Sequence, residues 1–124
     1  MTHLELDYRL VFERSGTGVC RFDTTGRIFD CNSALARILG YSSREELLEK
    51  GEFDFVNESD GALILAALRD LGAVHNIDVP VRRRDGSVAW ICQNAALVTE
   101  PNGSSYFDAV VMETSEQREA AQRF

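Results

Sequence analysis

Apolar and polar positions alternate most clearly between Val74 and Glu113, where strand-like runs are separated by the turn signals Asp85-Gly86 and Pro101-Asn102-Gly103. In the first run Ile77, Val79 and Val81 alternate with Asn76, Asp78 and Arg82, the two-residue period of a half-buried strand. The two later runs are apolar on both sides. Ile91, Ala95 and Leu97 point one way, and Trp90, Cys92, Ala96 and Val98 the other; Phe107, Ala109 and Val111 oppose Tyr106, Val110 and Met112 in the same manner. A meander apolar on both faces needs a cover on each.

Upstream, Leu4, Tyr8 and Val11 make a stripe at helical spacing, broken at Ser15-Gly16-Thr17-Gly18, which predicts a leading helix able to cover the outer face. Short strands follow at 19–22 and 27–31, joined by the turn chemistry of Asp23-Thr24-Thr25-Gly26. Asn32 predicts the N-cap of a helix that buries Ala34, Leu35, Ile38 and Leu39 and ends at Gly40. Ser42 with Glu45, and Ser43 with Glu46, have capping-box spacing, so another short helix is expected there. Phe53-Asp54-Phe55-Val56 reads as a core plug. Ser59-Asp60 predicts a cap for a longer helix from Gly61 to Leu71, with Leu65, Leu68 and Leu71 on one side and Ile64 and Ala67 beside them. The polar stretch from Thr114 to Phe124 has helix-forming composition. Sequential runs of one element type predict an α+β fold with a single antiparallel sheet. The expected organisation is a flanking helix over residues 1–15, a core over 16–113 and the start of a linker helix over 114–124.

A length of 124 residues suits one domain. The net charge of −7 argues against direct nucleic-acid binding. Arg82-Arg83-Arg84 is the one basic run, and its place at a hairpin end reads as a solvated loop. No apolar stretch approaches the roughly 20 residues of a membrane span, and no signal-peptide pattern opens the chain, so no membrane insertion is expected. Cys20, Cys31 and Cys92 are odd in number, far apart in sequence and set in apolar runs, which suggests buried thiols in a reducing compartment. The expected location is the cytoplasm, including the cytosolic part of a membrane-bound sensor.

The chain resembles a PAS domain over nearly all its length. The residues that carry the likeness are Tyr8-Arg9-Leu10-Val11-Phe12-Glu13, Asp23-Thr24-Thr25-Gly26-Arg27-Ile28, Cys31-Asn32-Ser33-Ala34, Leu39-Gly40-Tyr41-Ser42 and Glu45-Glu46-Leu47. Arg84-Asp85-Gly86-Ser87 with Trp90, and Glu113-Thr114-Ser115-Glu116-Gln117-Arg118, continue it. Each piece is weak alone; their order and spacing are specific. The resemblance implies a five-stranded antiparallel sheet in the order 2-1-5-4-3 with helices on one side, and a sensory or dimerising role within a larger signalling protein. There are two departures: the family's Asp-Ile-Thr triplet is Glu113-Thr114-Ser115 here, and no cofactor signature is present.

Flavin-photosensing relatives carry a reactive Cys in the middle helical region, and Glu52 to Asp60 has none. Haem-binding relatives use a His on the long helix; Gly61 to Leu71 has none, while His75 and His3 read as surface or structural residues. No spacing suits zinc. Asp54, Glu58 and Asp60 read as solvated acids, and neither Asp23-Thr24-Thr25-Gly26 nor Asp85-Gly86 cradles phosphate. Hence no enzyme, metal site, flavin or haem is expected, and purified protein should be colourless; an unidentified small molecule remains compatible.

Gln93 is the one strongly polar residue on the strand face with Ile91, Ala95 and Leu97, the face that the resemblance turns toward the family's pocket. It needs either a backbone carbonyl or a small molecule or water as partner. The expected pocket lining is Leu39, Phe55, Leu65, Leu68, Val79, Ile91, Gln93 and Val111. A homodimer is expected through Leu6, Leu10, Trp90, Cys92, Val110 and Met112. Glu113, Thr114 and Ser115 are the expected signal relay: Thr114 and Gln117 have capping-box spacing, and Glu113 either pairs with an Arg on the domain body or is solvated. Such a module would bind a ligand, dimerise, or both, to regulate a histidine kinase, a diguanylate cyclase or a DNA-binding output. The alternative is a purely structural dimerisation module with a filled core.

Overall fold

The computed structural model describes residues 17–50 and 58–115. Its strands β1 (Gly18–Phe22), β2 (Ile28–Cys31), β3 (Ala73–Arg82), β4 (Val88–Thr99) and β5 (Ser105–Glu113) form one antiparallel sheet in the order β2-β1-β5-β4-β3. Helices α1 (Ser33–Ile38), α2 (Arg44–Lys50) and α3 (Glu58–Leu71) lie between β2 and β3 in sequence. The α+β class and the strand order match expectation. The leading helix over 1–15, the Phe53–Val56 plug and all but the first two residues of the linker helix lie outside the described residues.

The three hairpins close alike. Asp23, Arg83 and Glu100 each donate a backbone N–H to the carbonyl four residues on, Arg27, Ser87 and Ser104, and accept at their own carbonyl from Gly26, Gly86 and Gly103. Those glycines have φ of 95°, 89° and 89°, the left-handed residue that follows a type I turn in a three-residue hairpin loop. Short side chains brace each turn: Asp23, Asp85 and Asn102 accept from the N–H of Thr25, Ser87 and Ser104.

Apart from Gln93, the buried inward positions of the sheet are apolar, among them Phe22, Val79, Val81, Ala89, Ile91, Ala95, Phe107, Ala109 and Val111. Phe22 and Phe107 stack with ring centroids 5.2 Å apart. In β3 the parity of burial switches. Val74 is opposite Ala95 and Ile77 opposite Gln93, so β3 has one residue more than its partner over that step. Asn76 takes up the extra residue at φ 52, and its N–H is held by Asn94 Oδ1 at 3.1 Å. This bulge turns both Val74 and Ile77 inward despite their odd spacing.

Asn32 caps α1 as expected, its Oδ1 accepting from Leu35 N–H at 3.1 Å. The same oxygen accepts from Val19 N–H at 3.0 Å, and Nδ2 donates to the Thr17 carbonyl at 2.9 Å. One buried amide thus ties α1 to the start of β1. Gly18 lets α1 approach, because a Cβ there would stand 3.2 Å from Leu35 Cα. Before α2, Glu46 N–H donates to Ser43 Oγ, but the Glu46 carboxylate receives Ser42 rather than Ser43, so half a capping box forms.

Two expectations about α3 need correction. It begins at Glu58, so Ser59 and Asp60 lie in its first turn and do not cap it. Leu71 keeps the angular position of the apolar stripe yet is 77% exposed, whereas Ile64 and Leu68 are buried. Leu71 is the helix's last residue, where the chain reverses at Gly72 (φ 79) into the edge strand β3, and burial runs out at that border.

The cysteines are free thiols on strands. Cys20 and Cys31, distant in sequence, are register partners across β1 and β2 and both are buried. Burial pushes the Cys20 thiol far up, which keeps it protonated and unreactive.

Candidate functional site

The expected pocket residues converge on the inner face of the sheet and the helices packed on it. Val79 pairs with Ile91, and Gln93 pairs with Ile77 on one side and Val111 on the other, so these residues form a patch across β3, β4 and β5. Leu39, at the end of α1, and Leu68, on α3, are buried in the same core; Leu65 is half-buried against it. Phe55 lies outside the described residues.

Gln93 is 1% exposed, and among the described residues neither Nε2 nor Oε1 has a hydrogen-bond partner. Among the described residues no backbone carbonyl takes up the amide. Among the described residues the buried polar side chains are Asn32 and Gln93, and Asn32 is committed to the backbone.

The outer face has a different character. Val110 and Met112 are 44% and 57% exposed, while Trp90 and Cys92 are half-buried. Phe29 packs edge-on against Tyr106 with centroids 5.8 Å apart, and the Arg21 guanidinium lies over the Tyr106 ring while pairing with Asp108 at 2.9 Å. Leu6 and Leu10 lie outside the described residues.

At the end of β5, Glu113 pairs with Arg83 at 2.6 Å, so of the two readings of Glu113 the ion pair holds. Thr114 N–H donates to the Trp90 carbonyl at 2.8 Å, and Trp90 N–H donates to Ser115 Oγ at 2.9 Å. The strand pairing is thereby carried by a side chain one residue past the point where the backbone ladder ends. Gln117 lies outside the described residues.

The basic run is not simply a solvated loop. Arg84 donates its N–H to the Leu39 carbonyl at 2.9 Å and pairs with Glu46 at 2.6 Å, while Arg83 holds Glu113. The β3–β4 hairpin therefore clamps the α1–α2 region on one side and the end of β5 on the other. The two ion-pair partners lie 30 and 38 residues away in sequence, so no local spacing marked them. Arg44 was likewise missed; it joins α2 to β2 through the Cys31 carbonyl and Asp30, each at 3.0 Å. Among the described residues no three His, Cys, Asp or Glu side chains gather as a metal set, and His75 is exposed. No described helix is long and apolar enough to cross a membrane.

A five-stranded antiparallel sheet with its helices inserted between the second and third strands defines a small α+β domain. The PAS fold family model matches residues 6–121, and the chain belongs to that family. Solved structures agree. A PAS domain from Colwellia psychrerythraea is similar with TM-score 0.76 and 15% identity, covering 91% of this chain and 98% of its own. A domain of a sensory box sensor histidine kinase/response regulator from Geobacter sulfurreducens gives 0.69 and 24%, covering 86% and 92%. The PAS domain of a LuxR-family transcriptional regulator from Burkholderia thailandensis, in complex with ethanol, gives 0.72 and 21%, covering 88% and 98%. No curated protein matches the chain.

Proposed function

We propose that this chain is a sensory module that takes a small ligand between sheet and helices, associates with a second copy, and regulates an output domain. Gln93 carries the proposal. An amide buried with neither polar atom partnered among the described residues costs about 1–3 kcal/mol, which a bound molecule in hydrogen-bonding position offsets. The lining in this proposal is Leu39, Phe55, Leu65, Leu68, Val79, Ile91 and Val111 around that amide. Similar solved domains come from a sensor histidine kinase and from a LuxR-family regulator, the latter with ethanol bound, which supports a sensory role. A histidine kinase, a diguanylate cyclase and a DNA-binding regulator are all compatible outputs.

In this proposal Glu113, Thr114 and Ser115 pass the ligand state outward, and Leu6, Leu10, Trp90, Cys92, Val110 and Met112 form the homodimer contact. The module itself catalyses nothing, takes no flavin adduct or haem, touches nucleic acid only through its output domain, and works in the cytoplasm without entering a membrane. Native mass spectrometry of the purified chain tests it. A retained small molecule, lost in Gln93→Leu, is the expected result. Bare polypeptide in every preparation, still dimeric, would favour a structural dimerisation module with a filled core.

A further inference from the structure

The chemistry around Gln93 narrows what the proposed pocket selects. A glutamine amide presents a donor and an acceptor side by side on one planar end. The described residues supply a partner to neither atom, so a matching ligand must offer an acceptor and a donor on one edge. That edge has to be uncharged. Among the described residues no charged side chain is buried. A carboxylate or phosphate brought against Gln93 would therefore lose its hydration without a counter-charge from the described residues. A carboxylic acid would have to take up a proton, well above its usual titration range, before it could donate.

Among neutral groups the geometry of the amide bond decides. An open-chain secondary amide is trans, with N–H and C=O on opposite sides, and turning it cis costs about 2.5 kcal/mol. A primary carboxamide or a cyclic amide already holds both groups on one edge. Resting on the ligand-binding proposal above, we infer that the pocket selects neutral small molecules bearing a primary carboxamide or cyclic amide edge, which pairs reciprocally with the Gln93 side chain.

The test uses three six-membered ring probes of similar size, titrated into the 124-residue chain and followed by NMR. δ-Valerolactam has the full edge, its N-methyl derivative lacks the donor, and cyclohexane has neither group. Valerolactam should bind about tenfold or more tightly than N-methyl valerolactam, shifting the Gln93 side-chain NH₂ signals. In Gln93→Leu, which replaces an unpartnered amide with an apolar group and so should fold, that preference should vanish while cyclohexane binds at least as well as before. If all three probes bind the unsubstituted protein alike, the amide-edge inference falls and the pocket stands. Binding of none at millimolar concentration would bring down the pocket proposal and this inference together. A valerolactam preference that survives Gln93→Leu would overturn the assignment to Gln93.

Discussion

Asn32 and Gln93 carry the same functional group and are buried to the same degree, yet they stand in opposite conditions. Asn32 serves Val19, Leu35 and Thr17; Gln93 serves no group among the described residues. Asn32→Ala should therefore cost about 3 kcal/mol in urea unfolding, since it leaves buried backbone groups unpaired, whereas Gln93→Leu should leave stability unchanged or raise it. The cap at Asn32 was legible because capping is local in sequence. The solitude of Gln93 was not, because it depends on what three strands and two helices fail to place nearby. Asp23 offers a pH test. The Thr25 hydroxyl, first among its partners, holds the Asp23 carboxyl below the usual carboxylate range. Its folded-state pKa is thus lower than the unfolded one, so its contribution is full above the unfolded value and fades as pH falls through the folded one. Asp23→Asn should flatten the acid limb of the stability profile below about pH 4, read from urea midpoints at a series of pH values, with little change near neutrality.

Elements were read best where their signals are contiguous. The turns at Asp23–Gly26, Asp85–Gly86 and Asn102–Gly103 were expected, because each needs only a short acceptor and a residue at ease with positive φ. The bulge at Asn76 was not, since the alternation of Ile77, Val79 and Val81 is intact on one side of it and the shift shows only against β4. Two glycines with different duties separate local strain from packing. Gly103→Ala meets no atom within 4 Å and should cost about 1 kcal/mol for its left-handed backbone alone. Gly18→Ala pushes against the Leu35 backbone and should cost more, with thermal denaturation ranking the two. The Arg83–Glu113 pair is part-exposed, so Glu113→Ala should shift stability by under about 1 kcal/mol. In a full-length protein carrying an output domain, the same change should alter the ratio of stimulated to basal output; an unaltered ratio would remove Glu113 from the relay.

For the whole molecule, periodicity gave one antiparallel sheet, but the strand order came from resemblance to the PAS family. Pairing of β1 with β5 brings together segments almost a full chain apart, with Cys20 opposite Ala109, and no local pattern encodes that. The sequence did indicate that both sheet faces are apolar. The inner face is covered by helices, while Val110 and Met112 remain exposed on the outer one among the described residues. In the proposed homodimer Trp90→Ala should shift sedimentation toward the monomer at micromolar concentration, and an unchanged profile would place the contact elsewhere.

The bulge at Asn76 also bears on solubility. β3 lies at the edge of the sheet, where free N–H and C=O groups invite strands from other molecules. Trp90, opposite Pro80, turns both its N–H and its carbonyl toward β5, so the backbone of Pro80 faces the open edge. Proline has no N–H to offer there, and Asn76 interrupts the straight run four residues earlier. An incoming strand would find the ladder broken at both places, which discourages edge-to-edge aggregation while leaving the broad face of the sheet free for association.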